Sequence, residues 1–261
     1  MSKIKIAFGV TKDWLNYTYV TMCSILSNAN VFDYYCFYIM CDIDEDEFEK
    51  SFCSAKEKLN SIHKFEYEYI KMDNSDFDGV IHDTRVGISA SYRLKLASLT
   101  GEDKIIYLDS DVVVLDNISK LWDYNIENYL IGAVEDKYSD MMKCHANLDY
   151  DDTYINSGVL LMNLKKFRET NLEEQIFDKL RENTTYSDQD VLNDVCRKQV
   201  LYLPLKFNLM VIRDDPNSFP KRREEFTEAL KEPVVIHYVI KPWFLPVQYS
   251  EHWFKYANIL K

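Results

Sequence analysis

Glycine and proline are scarce in this chain, six of each among 261 residues, and no proline precedes Pro204. That scarcity excludes collagen-like repeats, flexible linker arrays and low-complexity tracts, and it makes the last quarter the loop-rich part. No apolar run approaches the ~20 residues that a membrane-spanning helix needs. The opening Met1-Ser2-Lys3-Ile4-Lys5-Ile6-Ala7-Phe8-Gly9 has too short an apolar run for a secretory leader. The cysteines (Cys23, Cys36, Cys41, Cys53, Cys144, Cys196) lack CxxC pairs and clustered histidine. We therefore expect reduced, mostly buried thiols in a cytoplasmic protein rather than a disulfide framework. Basic residues are also short: 31 Lys and Arg face 43 Asp and Glu, a net charge of −12. This is the wrong sign for nucleic acid or for adhesion to anionic lipid, and any anionic substrate needs a local cation.

What remains is ordinary soluble-protein usage, 47% apolar and 28% charged, which excludes a disordered chain. A chain of this length buries roughly 70–75% of the surface its unfolded form exposes, so it folds without staples. No repeat or linker divides it, and one domain spanning 1–261 is expected. Ile4–Val10, Tyr34–Cys41, Phe65–Ile70 and Ile105–Leu108 read as strands, with Val112–Leu115 resuming the last of these. Between them, Trp14–Ala29, Asp44–Leu59 and Ser89–Leu99 read as helices. Further strands are expected at Ile131–Val134, Tyr154–Leu164, Leu201–Leu205 and Val234–Val239, with helices near Lys166–Glu182 and Asp188–Lys198. This β-α-β alternation predicts an α/β fold, an open and mostly parallel central sheet flanked by helices. Ligands of such sheets bind at the carboxyl ends of the strands, where Thr11–Asp13 and Asp109–Asp111 interrupt the apolar pattern.

Asp109-Ser110-Asp111 is the sharper of these breaks. Two carboxylates at i and i+2 converge on one hard divalent cation when a strand kinks between them. Asp and Ser are also turn residues, yet a surface turn seldom sits inside so apolar a stretch as Ile105–Leu115. This motif, with Tyr92-Arg93-Leu94-Lys95-Leu96 ahead of it, resembles the central signature of glycosyltransferase family 8. Asn156-Ser157-Gly158-Val159-Leu160-Leu161-Met162-Asn163-Leu164, Asp188-Gln189-Asp190-Val191-Leu192-Asn193, and His237-Tyr238 with Lys241-Pro242-Trp243 agree in order and spacing. The similarity runs from Ile4 to about Trp243. That family includes bacterial lipopolysaccharide galactosyl- and glucosyltransferases and the glycogenins.

The resemblance implies a GT-A fold and transfer of a hexose from a UDP-sugar, with retention, to a saccharide or glycoconjugate. It implies a nucleotide-binding half, 1–115, and a sugar- and acceptor-binding half, 116–261. Asp109, Asp111 and His237 would bind Mn²⁺ or Mg²⁺; by itself His237 reads more readily as a hydrogen-bonded core histidine, and the acidic pair and Lys241-Pro242-Trp243 turn the reading to a ligand. Gly9, Val10, Thr11, Asp13, Arg93, Ser110 and Lys241 fall at nucleotide-binding positions, although relatives often carry an acid where Thr11 stands. Asp13 also fits a helix N-cap. Relatives separate the histidine from the lysine by more residues, glycine included, than the Tyr238-Val239-Ile240 found here. Asn156, Ser157, Gly158 and Asp188 match sugar-binding positions, and Asp188 too fits an N-cap. Gln189 and Asp188 match the catalytic positions, Gln189 near the anomeric carbon. Trp14, Val211 and Ile212 are acceptor candidates, the last two opening a surface segment at 211–226. A sugar-1-phosphate nucleotidyltransferase also uses paired carboxylates and a metal, but it normally shows a phosphate loop richer in glycine and basic residues than Gly9–Asp13. A silent sugar-nucleotide- or glycan-binding module is the third reading. Neither nucleic acid nor stable membrane insertion is expected, beyond transient peripheral contact.

Overall fold

The computed structural model of the chain describes residues 3–78, 80, 87–183, 185–210 and 219–261. Its strands are β1 (Lys3–Val10), β2 (Tyr34–Cys41), β3 (Phe65–Lys71), β4 (Ile105–Leu108), β5 (Val112–Val114), β6 (Ile131–Glu135), β7 (Ile155–Met162), β8 (Val200–Tyr202), β9 (Leu209–Met210) and β10 (Val235–His237). The larger sheet has the order β3-β2-β1-β4-β7-β6-β8, and the smaller β5-β10-β9. In the larger sheet β7 runs antiparallel to β4 and β6, and the other neighbours are parallel. The mostly parallel α/β sheet read from the sequence is therefore present, and β2 and β4 have the expected boundaries.

Period-two alternation splits the apolar residues between the two faces of this sheet. Ile4, Ile6, Phe8 and Val10 of β1 join one core, with Tyr35, Phe37 and Ile39 of β2. Ala7 of β1 and Cys36, Tyr38 and Met40 of β2 join the other. The helices Leu15–Ser27 and Glu45–Ile62 cover the first face, through residues such as Tyr19, Phe48 and Phe52. Leu164–Glu169, Leu172–Glu182 and Asp188–Cys196 cover the second.

Three expectations change in the structure. The expected helix at Ser89–Leu99 is a 3-10 stretch, Ile88–Lys95, followed by one α turn, Leu96–Leu99. Ser89 to Leu94 are all buried, so this segment has no solvent face to give it an amphipathic period. The helix expected at Lys166–Glu182 breaks before Leu172, where Asn171 adopts φ 49°, a left-handed conformation that asparagine tolerates. Val112–Leu115 does not resume β4. The chain changes sheets at Asp109–Asp111, and β5 pairs with β10 of the smaller sheet. The pairing of β9 with β10 and the C-terminal helix Ser250–Ile259 are not legible in the hydrophobic pattern.

The second edge of β5 is held by a helix. In the antiparallel ladder with β10, the backbone groups of alternate β5 residues point away from the partner strand. Thr21 Oγ1 donates to the Val112 carbonyl (2.8 Å), the Val114 N–H donates to Ser24 Oγ (2.9 Å), and Asn28 Nδ2 donates to the Val114 carbonyl (3.0 Å). One turn earlier, Thr18 Oγ1 donates to Ser110 Oγ at 2.9 Å. Thr18, Thr21 and Ser24 are wholly buried, a hydroxyl stripe at three-residue spacing that replaces a neighbouring strand. Thr21→Val keeps the shape and removes the donor, so a buried carbonyl loses its partner at a cost of about 1–3 kcal/mol. Urea unfolding measures this; a loss too small to resolve would mean that the stripe does not hold β5.

Candidate functional site

β1 and β4 are parallel neighbours, so the polar breaks that follow them lie at one edge of the sheet. Asp109-Ser110-Asp111 crosses there from one sheet to the other, tied to both. The Asp109 N–H donates to the Gly158 carbonyl of β7 at 2.8 Å, and the Tyr238 N–H donates to the Asp111 carbonyl at 2.9 Å. His237 ends β10, in register with Val112. One ligand atom each from Asp109, Asp111 and His237 lie within 4.8 Å of one another. His237 Nε2 is 3.3 Å from Asp111 Oδ1 and 3.9 Å from Asp109 Oδ2. Asp111 Oδ1 is buried without a hydrogen-bond partner. Two carboxylates and an imidazole facing one another need positive charge between them. Oxygen-rich donors with one imidazole fit Mn²⁺ or Mg²⁺.

Gly158 makes this convergence possible. A Cβ there would meet His237 Cε1 well inside contact distance and Asp109 Oδ2 at 2.7 Å. Gly9, at the end of β1, similarly admits the 3-10 stretch, since its Cβ would lie 2.6 Å from the Ser89 carbonyl oxygen. That stretch carries Arg93, whose side chain is 2% exposed. Arg93 Nη2 donates to Asp109 Oδ1 (2.8 Å), Nε donates to the Ala90 carbonyl (2.7 Å), and Nη1 donates to the Ser157 carbonyl. Its Nε also lies 3.4 Å from Asp188 Oδ2, and the guanidinium covers the Tyr107 ring at 4.2 Å. Arg93 therefore offsets the charge of two partly buried acids at once. Lys241 Nζ contacts Asp111 Oδ2 and donates to the Tyr238 carbonyl at 3.1 Å.

These cations govern the acids. Burial opposes ionisation of Asp111, but the Lys241 ammonium beside it helps hold the carboxyl below its ordinary range. Burial pushes the Asp188 carboxyl above its ordinary range; Arg93 opposes that rise, while Asp109 and Asp190 add to it.

Two cavities meet at the acids. One of about 130 Å³ is lined by Gly9, Trp14, Ser89, Ala90 and Ser110, together with Arg93, Asp109, Asp111 and Lys241. The other, about 300 Å³, shares those last four residues and adds Asn156, Ser157, Asp188, Gln189 and His237. A wider surface groove of about 970 Å³ lies elsewhere, along Ser98–Gly101. Lys95 is paired there with Asp76, and Glu173 accepts from the Ser98 hydroxyl.

Asp188 and Gln189 reach the larger cavity because neither caps the helix they begin. Ser187 is the N-cap and closes a capping box with Asp190. Gln189 Oε1 accepts from the Ser157 N–H at 2.9 Å and lies 3.3 Å from its hydroxyl. The Ser157 hydroxyl is also 3.4 Å from Asp188 Oδ2. Both ends of the Asn156 amide are engaged within the protein. Its Oδ1 accepts from the Gly158 N–H (3.0 Å) and from Asn208 Nδ2 (2.8 Å), and its Nδ2 donates to Asp136 Oδ2 (3.0 Å).

The nucleotide-side candidates at the end of β1 are less concentrated. Val10 is buried within β1, Thr11 precedes a 3-10 turn, Lys12–Trp14, and Asp13 is exposed on that turn. None of the three lines either cavity. The helix Leu15–Ser27 has Trp14, not Asp13, at its N-cap, so the capping alternative for Asp13 is not realised. Trp14 lines the smaller cavity and meets Trp243 edge-on at 5.8 Å. Trp243 in turn stacks on Tyr17 at 4.0 Å, which pins the short segment carrying Lys241. Val211 and Ile212 lie outside the described residues. Sequence reading passed over Asp136, Asn208 and Thr18. The available signals were an acid just after the apolar strand β6, a polar residue between Phe207 and Leu209, and the hydroxyl spacing.

Comparisons with known proteins agree with this architecture. The family model described as "Glycosyl transferase family 8" matches residues 5–245. General stress protein A of Bacillus subtilis (strain 168) is 26% identical over 210 residues, 74% of this chain and 73% of that protein. A lipopolysaccharide 1,2-glucosyltransferase of Escherichia coli (strain K12) is 28% identical over 253 residues, 92% of this chain and 72% of that one. Among solved structures, galactosyltransferase LgtC in complex with donor and acceptor sugar analogs superposes with a TM-score of 0.78 at 24% identity, covering 98% of this chain and 95% of that one. The GT-A fold is common to both.

The glycine geometry generates a paired expectation. Gly158→Ala drives a methyl between His237 and Asp109 and costs about 1–3 kcal/mol through overpacking, with weaker Mn²⁺ binding. Gly132→Ala in buried β6 meets Leu161 Cβ at 3.4 Å, an ordinary contact, and is expected to cost clearly less than Gly158→Ala. Chemical denaturation and Mn²⁺ titration of both variants check this. Equal losses in the two would remove the special status of Gly158.

Proposed function

Because the chain belongs to glycosyl transferase family 8, we propose that it moves a hexose, glucose or galactose, from a UDP-sugar to a saccharide or glycoconjugate acceptor, with retention and with Mn²⁺ or Mg²⁺. The observation that carries this reading is the convergence of Asp109, Asp111 and His237 at the junction of two cavities. The smaller cavity, with Gly9, Ser110 and Trp14, suits the nucleotide; the larger, with Ser157, Asp188 and Gln189, suits the transferred sugar. We read residues 1–261 as one working unit, with 1–115 serving the nucleotide and 116–261 the sugar and acceptor. Val211 and Ile212 belong to the acceptor side of this proposal.

When bound, the cation supplies positive charge opposite the diphosphate as its bond to the sugar breaks. Lys241 lines both cavities, so its ammonium is available to a phosphate oxygen between them. Arg93, committed to Asp109 and Asp188, holds those acids apart and in place. Asp188 and the Ser157 hydroxyl offer acceptors to hexose hydroxyls. Gln189 Oε1 is an amide oxygen that already accepts from the Ser157 backbone, which makes it a poor nucleophile. This favours substitution on one face of the sugar. The acceptor oxygen bonds to the anomeric carbon, the bond to UDP breaks with its electron pair going to phosphate, and the acceptor proton passes to that phosphate oxygen.

UDP release from UDP-glucose and UDP-galactose, with and without Mn²⁺, tests the reading. Asp109→Asn or Asp111→Asn is expected to cut turnover about 10²–10³-fold, the scale of losing one contact that stabilises developing charge. Asp188→Asn is expected to lower kcat much more than it weakens UDP binding. Full turnover in excess chelator would refute the metal dependence. Turnover only with UTP and a sugar phosphate would instead mark a nucleotidyltransferase, and binding without turnover a sugar-nucleotide-binding module.

A further inference from the structure

Behind His237 runs a chain of buried amides that ends on a carboxylate. Asp136 follows β6 and is 7% exposed, Asn156 9%, Asn208 1% and His237 6%. Asp136 Oδ1 accepts from the Tyr138 N–H at 2.8 Å, while Oδ2 accepts from Asn156 Nδ2 at 3.0 Å and lies 3.4 Å from Gln189 Nε2. Asn156 Oδ1 faces Asn208 Nδ2 at 2.8 Å, and Asn208 Oδ1 faces His237 Nδ1 at 3.1 Å.

The direction of this chain follows from chemistry at its fixed points. An ionised carboxylate only accepts hydrogen bonds, so the amide nitrogen of Asn156 must face Asp136. The Gly158 backbone N–H only donates, and it too requires the Asn156 oxygen on its own side, at 3.0 Å. With Asn156 so fixed, Asn208 turns its nitrogen toward Asn156 and its oxygen toward His237. The ring atom facing that oxygen must carry hydrogen. His237 is thereby held with hydrogen on Nδ1, and Nε2 is the atom aimed at Asp111 and Asp109. A free neutral imidazole favours the opposite tautomer, with hydrogen on Nε2, which would point a donor where a ligand lone pair is needed. Metal-binding histidines commonly have their other nitrogen fixed in this way.

We propose that Asn208 and Asn156, anchored on Asp136, are positioning residues that hold His237 in its Nδ1–H tautomer and so present Nε2 to the cation shared with Asp109 and Asp111. The cation half of this statement rests on the metal reading above; the tautomer half does not. The same Asp136 carboxylate also receives the Gln189 amide nitrogen, which turns Gln189 Oε1 toward Ser157. One buried anion thus sets the orientation of groups on both sides of the larger cavity.

The test uses the full chain with ¹⁵N-labelled histidine, free of metal and at a pH where the ring is neutral. Long-range ¹H–¹⁵N correlation reports the tautomer, with the His237 signal assigned by its loss in His237→Gln. Wild type is expected to show the Nδ1–H form, and an Nε2–H form overturns the proposal with no variant needed. Asn208→Leu, similar in volume but without an acceptor, is expected to move His237 toward the Nε2–H form. It is also expected to weaken Mn²⁺ binding, read by electron paramagnetic resonance without nucleotide, by about 10- to 100-fold. Asn208→Asp retains an acceptor for Nδ1–H, though it loses the donor to Asn156, and is expected to keep the Nδ1–H tautomer. An unchanged tautomer and affinity in folded Asn208→Leu overturns the proposal. Wild-type protein with the Nδ1–H form but no Mn²⁺ uptake overturns the metal reading while supporting the hold on the tautomer.

Discussion

The stretch from Ile105 to Leu115 serves two sheets, and the site depends on where it crosses between them. β4 lies in the larger sheet beside β1 and β7, and β5 lies in the smaller beside β10. Between them Asp109 takes its backbone partner from Gly158 and Asp111 from Tyr238. A continuous strand would alternate its side chains regularly across one sheet. Changing sheets between the two acids instead brings both carboxylates to the imidazole that ends β10. Thr21, Ser24 and Asn28 support this crossing, because they satisfy the edge of β5 opposite β10, which no strand covers among the described residues.

Charge balance is the second requirement. Asp109, Asp111 and Asp188 come together in a chain whose net charge is −12, and buried anions are costly unless paired. Arg93 is spent inside the protein on Asp109 and Asp188, while Lys241 meets Asp111 from the cavity side. The two cations therefore have different work. A buried guanidinium with each of its three nitrogens hydrogen-bonded fixes geometry, and an ammonium on a partly exposed flexible stem can exchange partners when a polyanion arrives.

Much of the fold was legible because its signals are local. The alternation in Phe65–Ile70 and the apolar runs Tyr34–Cys41 and Ile105–Leu108 mark strands whatever surrounds them. The Ser89–Leu99 segment misled because its first six residues, Ser89 to Leu94, are all buried, so that part of the pattern carries no period. The acids at 109 and 111 were legible as a pair, and membership of glycosyl transferase family 8 agrees with the ordered motifs read around them. The roles of Asn156 and Asp188 were not decided in the same way. Asn156 matches a sugar-binding position, yet its amide is engaged by Asp136, Gly158 and Asn208. Asp188 fits an N-cap by position, yet Ser187 and Asp190 perform the capping and leave it facing Arg93.

The sequence by itself determined the α/β alternation, the acidic pair at the end of a strand and the order of the motif blocks. These follow from hydrophobic periodicity and from residue types a few positions apart, which act over one turn or one strand. Only the tertiary structure decided that β5 leaves the larger sheet, that Gly158 makes room for His237 beside Asp109, and that Asp136 reaches His237 through two asparagines. Those relations join residues from 20 positions apart, as Asp136 and Asn156, to more than 100 apart, as β5 and β10, by packing and hydrogen-bond direction. No local pattern encodes which end of an amide faces which neighbour; that is fixed when the surrounding donors and acceptors are buried together and each must find its partner.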